Sequence, residues 1–124
     1  MQVNLFDLAA KQAEWLSVRQ SAIAGNIANV NTSGYRALEV EPFSKVLDNA
    51  RVGLQATQAS HLVGGAGAES IAVHQREDSS TSNSGNNVHL ESELLAAGEV
   101  RRAFELNTAI VKAFNRMTMM VSKG

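Results

Sequence analysis

The side chains with chemical reach are three histidines, two close carboxylate pairs, a glycine run, an arginine pair and a cluster of methionines. His61, His74 and His89 are 13 and 15 residues apart. None has a second histidine one helical turn away, the spacing that lets two imidazoles share a metal ion, so they read as surface or turn histidines. Glu39/Glu41 and Glu91/Glu93 are each two residues apart. The first pair would share one face of a strand, but general acid–base work needs a partner and an apolar pocket, and both pairs read as solvated. Gly64-Gly65-Ala66-Gly67 lacks the spacing of either phosphate-cradling glycine motif and reads as a loop. No serine stands in a Gly-x-Ser-x-Gly elbow. Arg101 and Arg102 are adjacent, so on a helix they diverge and make no nucleic-acid stripe. Met117 and Met120 fall on the apolar side of a helix, where packing explains them, and Met119 is a lateral contact. No catalytic constellation, cofactor site or metal site emerges.

The totals narrow the classes further. A chain of 124 residues supports one modest core. Eleven basic and twelve acidic side chains leave a net charge of −1, which argues against broad binding to nucleic acid or to an anionic membrane. The chain is 44% hydrophobic but only 5% aromatic, and much of the apolar share is alanine, which favours helix while burying little area. The absence of cysteine removes disulfides, thiolate metal sites and cysteine nucleophiles. No basic segment followed by an apolar core suggests a cleavable signal peptide, and no apolar run approaches the ~20 residues of a spanning helix.

Two elements dominate. The first is a helix from about Asn4 to Asn29, with Asn4 as N-cap and Asp7 at the positive helix end. Leu5, Ala9, Ala13, Leu16, Ile23, Ile27 and Val30 step along one face, with Leu8, Trp15 and Ala22 beside them; Lys11, Glu14 and Arg19 lie opposite. The second is a helix from about Val88 to Val121, capped by Asn86 or Asn87, with Glu91 and Glu93 near its start and Lys112, Arg116 and Lys123 toward its end. Leu90, Leu94 and Ala97 begin its apolar face. Ala103, Asn107, Ile110, Phe114, Met117 and Val121 continue it in alternating steps of four and three, with Leu106, Ala113 and Met120 alongside, close to a heptad seam. Phe104 joins this packing set.

Between the helices the pattern shortens. Leu38 and Val40 alternate with glutamates as a weak strand, Pro42 opens a short helix through Phe43, Val46, Leu47 and Ala50, and Ile71 and Val73 suggest a brief second strand. Residues 77–87 are rich in Ser, Asn and Gly and read as an exposed loop. The expected fold is mainly α, with long N- and C-terminal amphipathic helices packing antiparallel as a coiled-coil-like pair and a short irregular, weakly β middle segment. It forms a single domain over 1–124, divided into a helix and Asn-rich turn (1–35), middle loops with a short helix and a β-hairpin (36–87) and the C-terminal helix (88–124). So few large side chains make an isolated helix pair marginal, and neighbouring molecules would complete its burial.

The first helix ends in Asn26-Ile27-Ala28-Asn29-Val30-Asn31-Thr32-Ser33-Gly34-Tyr35-Arg36. Asparagine side chains bond nearby backbone at helix ends, and Gly34 supplies the freedom for a reversal. Asn26 and Asn29 are expected to hold the turn through side-chain to backbone bonds, with Tyr35 packing where the chain leaves the helix.

The run from Ile23 to Asn29, then Asn31-Thr32 and Gly34-Tyr35-Arg36, resembles the N-terminal signature of bacterial flagellar axial proteins. In that family of rod, hook and hook-associated proteins, an Asn-x-x-Asn-x-x-Thr-x-Gly-Tyr/Phe run ends the first helix. The short length, Ser84-Gly85-Asn86-Asn87-Val88 before Leu90-Glu91, and Thr57 with His61-Leu62 resemble the proximal-rod members. Ser33 stands where proline is usual, and His89 where an acidic cap is common. The resemblance covers essentially the whole chain and implies a structural subunit, not an enzyme. Such a subunit is exported without signal cleavage and polymerises helically in the periplasm as the basal-body drive shaft around the export channel. The implied partners are further copies, the C-type and F-type proximal rod proteins, the adaptor protein FliE, and the export gate and MS ring, with no nucleic acid. Leu16, Ile23, Asn26, Ile27, Asn29, Thr32, Gly34, Tyr35, Leu94, Phe104, Ile110, Phe114, Met117 and Val121 are the expected packing and assembly residues. Another axial protein, such as the C-type rod protein, or a small soluble helical regulator or enzyme are the alternatives.

Overall fold

A computed structural model describes residues 4–59, 71–77 and 81–123, with the side chains of 4–51, 71–77 and 81–123. The chain runs α1 (Leu5–Ala28), β1 (Leu38–Val40), α2 (Phe43–Ala59), β2 (Val73–Gln75) and α3 (Leu90–Lys123). His61, Leu62 and the Gly64–Gly67 run lie outside the described residues, as does the side chain of Thr57.

α1 starts where its sequence says it should. Asn4 is extended, and its Oδ1 accepts from the Phe6 N–H at 3.0 Å, filling one of the donors a helix start leaves unpaired. At the other end the N–H of Asn29 bonds back to the carbonyls of Gly25 and Asn26. α3 begins two residues later than the pattern suggests. Asn86 Oδ1 accepts from the N–H of Val88, outside the helix, while its Nδ2 reaches the turn after α1, and Asn87 Oδ1 accepts from the N–H of Ala37, so both expected caps also bridge to other segments.

The long helices are antiparallel. Asn26 meets Glu93, Arg19 meets Glu99, Ala9 and Gln12 meet Asn107, and Phe6 meets Phe114 edge-on at 5.1 Å, so one number rises as the other falls. Their core is Leu16, Ile23 and Val100, surrounded by Trp15, Ile27, Ala96, Ala97, Ala103 and Phe104. It occupies the later half of α1 and the first half of α3. β1 and β2 pair antiparallel with Glu39 opposite His74. They flank α2 and are not a tight hairpin; a two-residue turn would bring neighbouring strands together, whereas here the whole of α2 lies between them. Trp15 ties this middle piece to α1. Its indole N–H donates to the Glu41 carbonyl at 2.7 Å, and its ring lies 5.5 Å from that of Phe43.

Such a core makes the large buried side chains disproportionately important. Leu16→Ala should lower unfolding free energy by about 2–5 kcal/mol, whereas Leu95→Ala, on an exposed position of α3, should change it by less than about 0.5 kcal/mol. Urea titration followed by circular dichroism checks both.

Candidate assembly site

The turn after α1 and the approach to α3 form one bonded unit. Asn26 is fully buried and uses every hydrogen-bonding position of its amide. Its Nδ2 donates to the Leu38 carbonyl at 2.9 Å and to Glu93 Oε2 at 3.2 Å, while Oδ1 accepts from the Leu38 N–H at 2.8 Å and the Tyr35 hydroxyl at 3.5 Å. The side chain thus pairs with Leu38 as a neighbouring strand would, which sets where β1 starts. Asn29 Nδ2 donates to the Gly25 carbonyl at 2.8 Å, and Thr32 Oγ1 donates to Asn29 Oδ1. These are the side-chain to backbone bonds expected of Asn26 and Asn29, and Tyr35 packs half-buried against the helix they end.

The second signature clasps the first. Asn86 Nδ2 donates to the carbonyls of Asn29, Val30 and Thr32, at 2.8, 3.1 and 2.7 Å. Those carbonyls belong to the turn just past α1, so Asn86 ties that turn to the approach to α3. Asn87 Nδ2 donates to the Arg76 carbonyl at 2.9 Å, and the N–H of Gly34 donates to the Ser84 carbonyl at 2.9 Å. Gly34 and Gly85 both have positive φ, and a Cβ on Gly85 would stand 3.6 Å from the Gly34 backbone. That contact is an ordinary van der Waals distance, so it is the left-handed backbone conformation at both positions that calls for glycine.

Glu93 corrects the sequence reading of a solvated pair. It is only 2% exposed, and its carboxylate takes the Asn26 amide on one oxygen and Arg76 Nη1, at 3.4 Å, on the other. Its position carries the signal: Glu93, Ala97, Val100, Phe104 and Asn107 step by four and three along the line that faces α1. An ionised side chain buried there requires partners from elsewhere in the chain. Arg76 and the bridging use of Asn86 and Asn87 carry no such periodic signal. A cleft of about 280 Å³ beside this network is lined by Trp15, Arg19, Ile23, Leu38, Arg76 and Glu93 among others. Among the described residues no three His, Asp or Glu side chains are placed to hold a metal ion, and no helix is long and apolar enough to cross a membrane.

The apolar residues of α3 divide. Val100 is buried and Phe104 is half-buried against α1, Asn107 donates to the Ala9 carbonyl at 3.0 Å, and Phe114 touches Phe6. Leu94, Ile110, Met117 and Val121 are exposed, together with Leu106 and Met120. The expected single stripe is therefore two. Covering each of the exposed side chains would contribute at most about 1.5–3 kcal/mol.

These two features, a locked turn and an uncovered helix face, frame the comparison with known proteins. A family model described as "Flagella basal body rod protein" matches residues 15–36, which run from Trp15 through the core half of α1 and the asparagine turn. The flagellar basal body rod protein FlgB of Agrobacterium fabrum is 41% identical over 126 aligned positions, covering 98% of this chain and 94% of the relative. The chain belongs to the flagellar basal body rod protein family. In this rod protein the matched segment supplies Leu16, Ile23 and Asn26, so the family signature coincides with the core and with the most fully bonded side chain of the turn.

Removing the Asn26 amide leaves the Leu38 backbone and Glu93 short of partners. Asn26→Ala should cost about 1–3 kcal/mol or more, and Asn26→Asp at least as much, since it sets a second carboxylate against Glu93. Ser33→Ala, at an exposed position, should stay within about 0.5 kcal/mol of the parent in the same urea titration.

Proposed function

We propose that this chain is a structural subunit of the proximal rod of the flagellar basal body. It polymerises helically through its terminal helices into the drive shaft around the export channel. The observation that carries this reading is the exposed apolar row on the C-terminal half of α3, on a chain whose α1 turn is locked by buried asparagines. A rigid junction fixes the direction in which an uncovered helix is presented to a neighbour. Contacts between unlike faces of successive subunits generate an open helical assembly when the rotation does not close.

The finer parts of the proposal follow from family membership. The subunit passes through the export apparatus without signal cleavage and assembles in the periplasm. Its neighbours are further copies, the C-type and F-type proximal rod proteins, the adaptor protein FliE, and the export gate with the MS ring. The role is mechanical, and no catalytic step is assigned to any residue.

Ile110→Glu and Met117→Glu place charge on exposed positions and should leave the helical content of the purified chain unchanged while abolishing swimming in soft agar. Wild-type swimming by both would overturn the rod reading. In dilute monomer, amides of residues 115–123, beyond the Phe6–Phe114 contact, should exchange hydrogen faster than those of 90–104, which α1 covers; equal protection would show that α3 is already complete on its own.

A further inference from the structure

The two rows on α3 have the same spacing and different surroundings. Val100, Phe104, Asn107, Val111 and Phe114 step four, three, four, three and line the α1 side. Leu106, Ile110, Ala113, Met117 and Met120 repeat the same steps six residues later. Six residues at about 100° each turn the second row roughly 120° away from the first. All five members of that second row are exposed. A heptad row of this kind suits another α-helix, because knobs at these steps fit the holes of a helix surface.

Charge selects which helix. After Glu105, α3 carries Lys112, Arg116 and Lys123 and no acidic residue. Two such segments side by side would oppose like charges. α1 differs: Asp7 and Glu14 are exposed, with Lys11 3.7 Å from Glu14. Beside these acids Ala10, Ser17, Gln20 and Ala24 are exposed on a face that α1 does not turn toward Asn107, Glu99 or Glu93. Small side chains admit large ones from a partner.

We infer that the outer row of α3, Leu106-Ile110-Ala113-Met117-Met120, docks on the Asp7/Glu14 side of α1 in a second copy of this chain. This rests on the rod-subunit reading and names the faces through which successive copies join. The contact is heterologous: each copy offers an α3 row at one place and an α1 face at another, so it propagates and does not close on itself.

The test is charge exchange in cells whose native copy is replaced by full-length variants. Lys112→Glu with Arg116→Glu should cut swimming roughly tenfold, as should Asp7→Lys with Glu14→Lys, while the four changes together restore most of it. All four positions are exposed, and circular dichroism of the purified variants should show that the helices persist. Failure of the combined variant to improve on the Lys112/Arg116 pair overturns the inference. Loss of swimming by Ile110→Glu in the same strain would still uphold the rod reading. Cross-linking provides the second arm, helped by the lack of native cysteine. Two differently tagged copies are co-expressed, one with Ala113→Cys and the other with Ala10→Cys, Ser17→Cys or Ala24→Cys. A disulfide between the two tags in isolated basal bodies is expected for at least one pairing. Products joining Ala113→Cys only to itself, or no product from any pairing, overturn the inference.

Discussion

The rest of the fold depends on the four hydrogen bonds of one amide. Asn26 sits at the end of α1 with no exposed surface, donating to Leu38 and Glu93 and accepting from Leu38 and Tyr35. An asparagine side chain has two donors and two acceptor positions, so nothing is left over. Through it the helix end, the first strand, the aromatic residue of the turn and the start of α3 are joined at one point. A partly satisfied polar group in that place would be a liability. A fully satisfied one rigidifies what it joins.

Around that point the chain brings together segments far apart in sequence. Asn86 reaches the carbonyls of Asn29, Val30 and Thr32, and Asn87 bonds Ala37 and Arg76. Glu93 then carries a buried negative charge whose partners, Asn26 and Arg76, come from α1 and from beyond β2. Replacing such a group with a plain hydrocarbon could be neutral for stability, so its presence fits a role in fixing one arrangement of the elements. That suits the assembly proposed above, in which helices leaving the junction at a constant angle would let every copy meet the next in the same way.

The opposite end of the molecule has little of this. Beyond Phe114, which meets Phe6, the apolar residues of α3 face outward, with Met117, Met120 and Val121 62%, 68% and 82% exposed. The contrast divides the chain into an end whose buried polar groups are bonded within it, with Leu90, Leu94 and Leu95 exposed on its outside, and an end whose apolar row lies open. Both follow from the same composition: with few aromatics and many alanines, the protein has enough large side chains for one short core, centred on Leu16, Ile23 and Val100.

Much of this was legible in the sequence. Helical periodicity and the Asn4 cap located α1 within a residue at each end, the Leu38–Val40 alternation located β1, and Pro42 marked the start of α2, because these signals are local and arise from backbone chemistry. The role of Asn26 and Asn29 in the turn was readable for the same reason. Three features were not. The burial of Glu93 needs Asn26 and Arg76, 67 and 17 residues away in the chain. The use of Asn86 as a clasp needs the carbonyls of a turn more than fifty residues earlier. The division of the α3 stripe depends on where α1 lies against it, and a helix with apolar residues around much of its circumference does not reveal which line its own partner covers. Sequence by itself therefore determined where α1 and α2 begin and how the turn is chemically equipped. Tertiary structure decided which polar groups are buried together and which apolar row is left exposed, since both depend on contacts between residues that only folding makes neighbours.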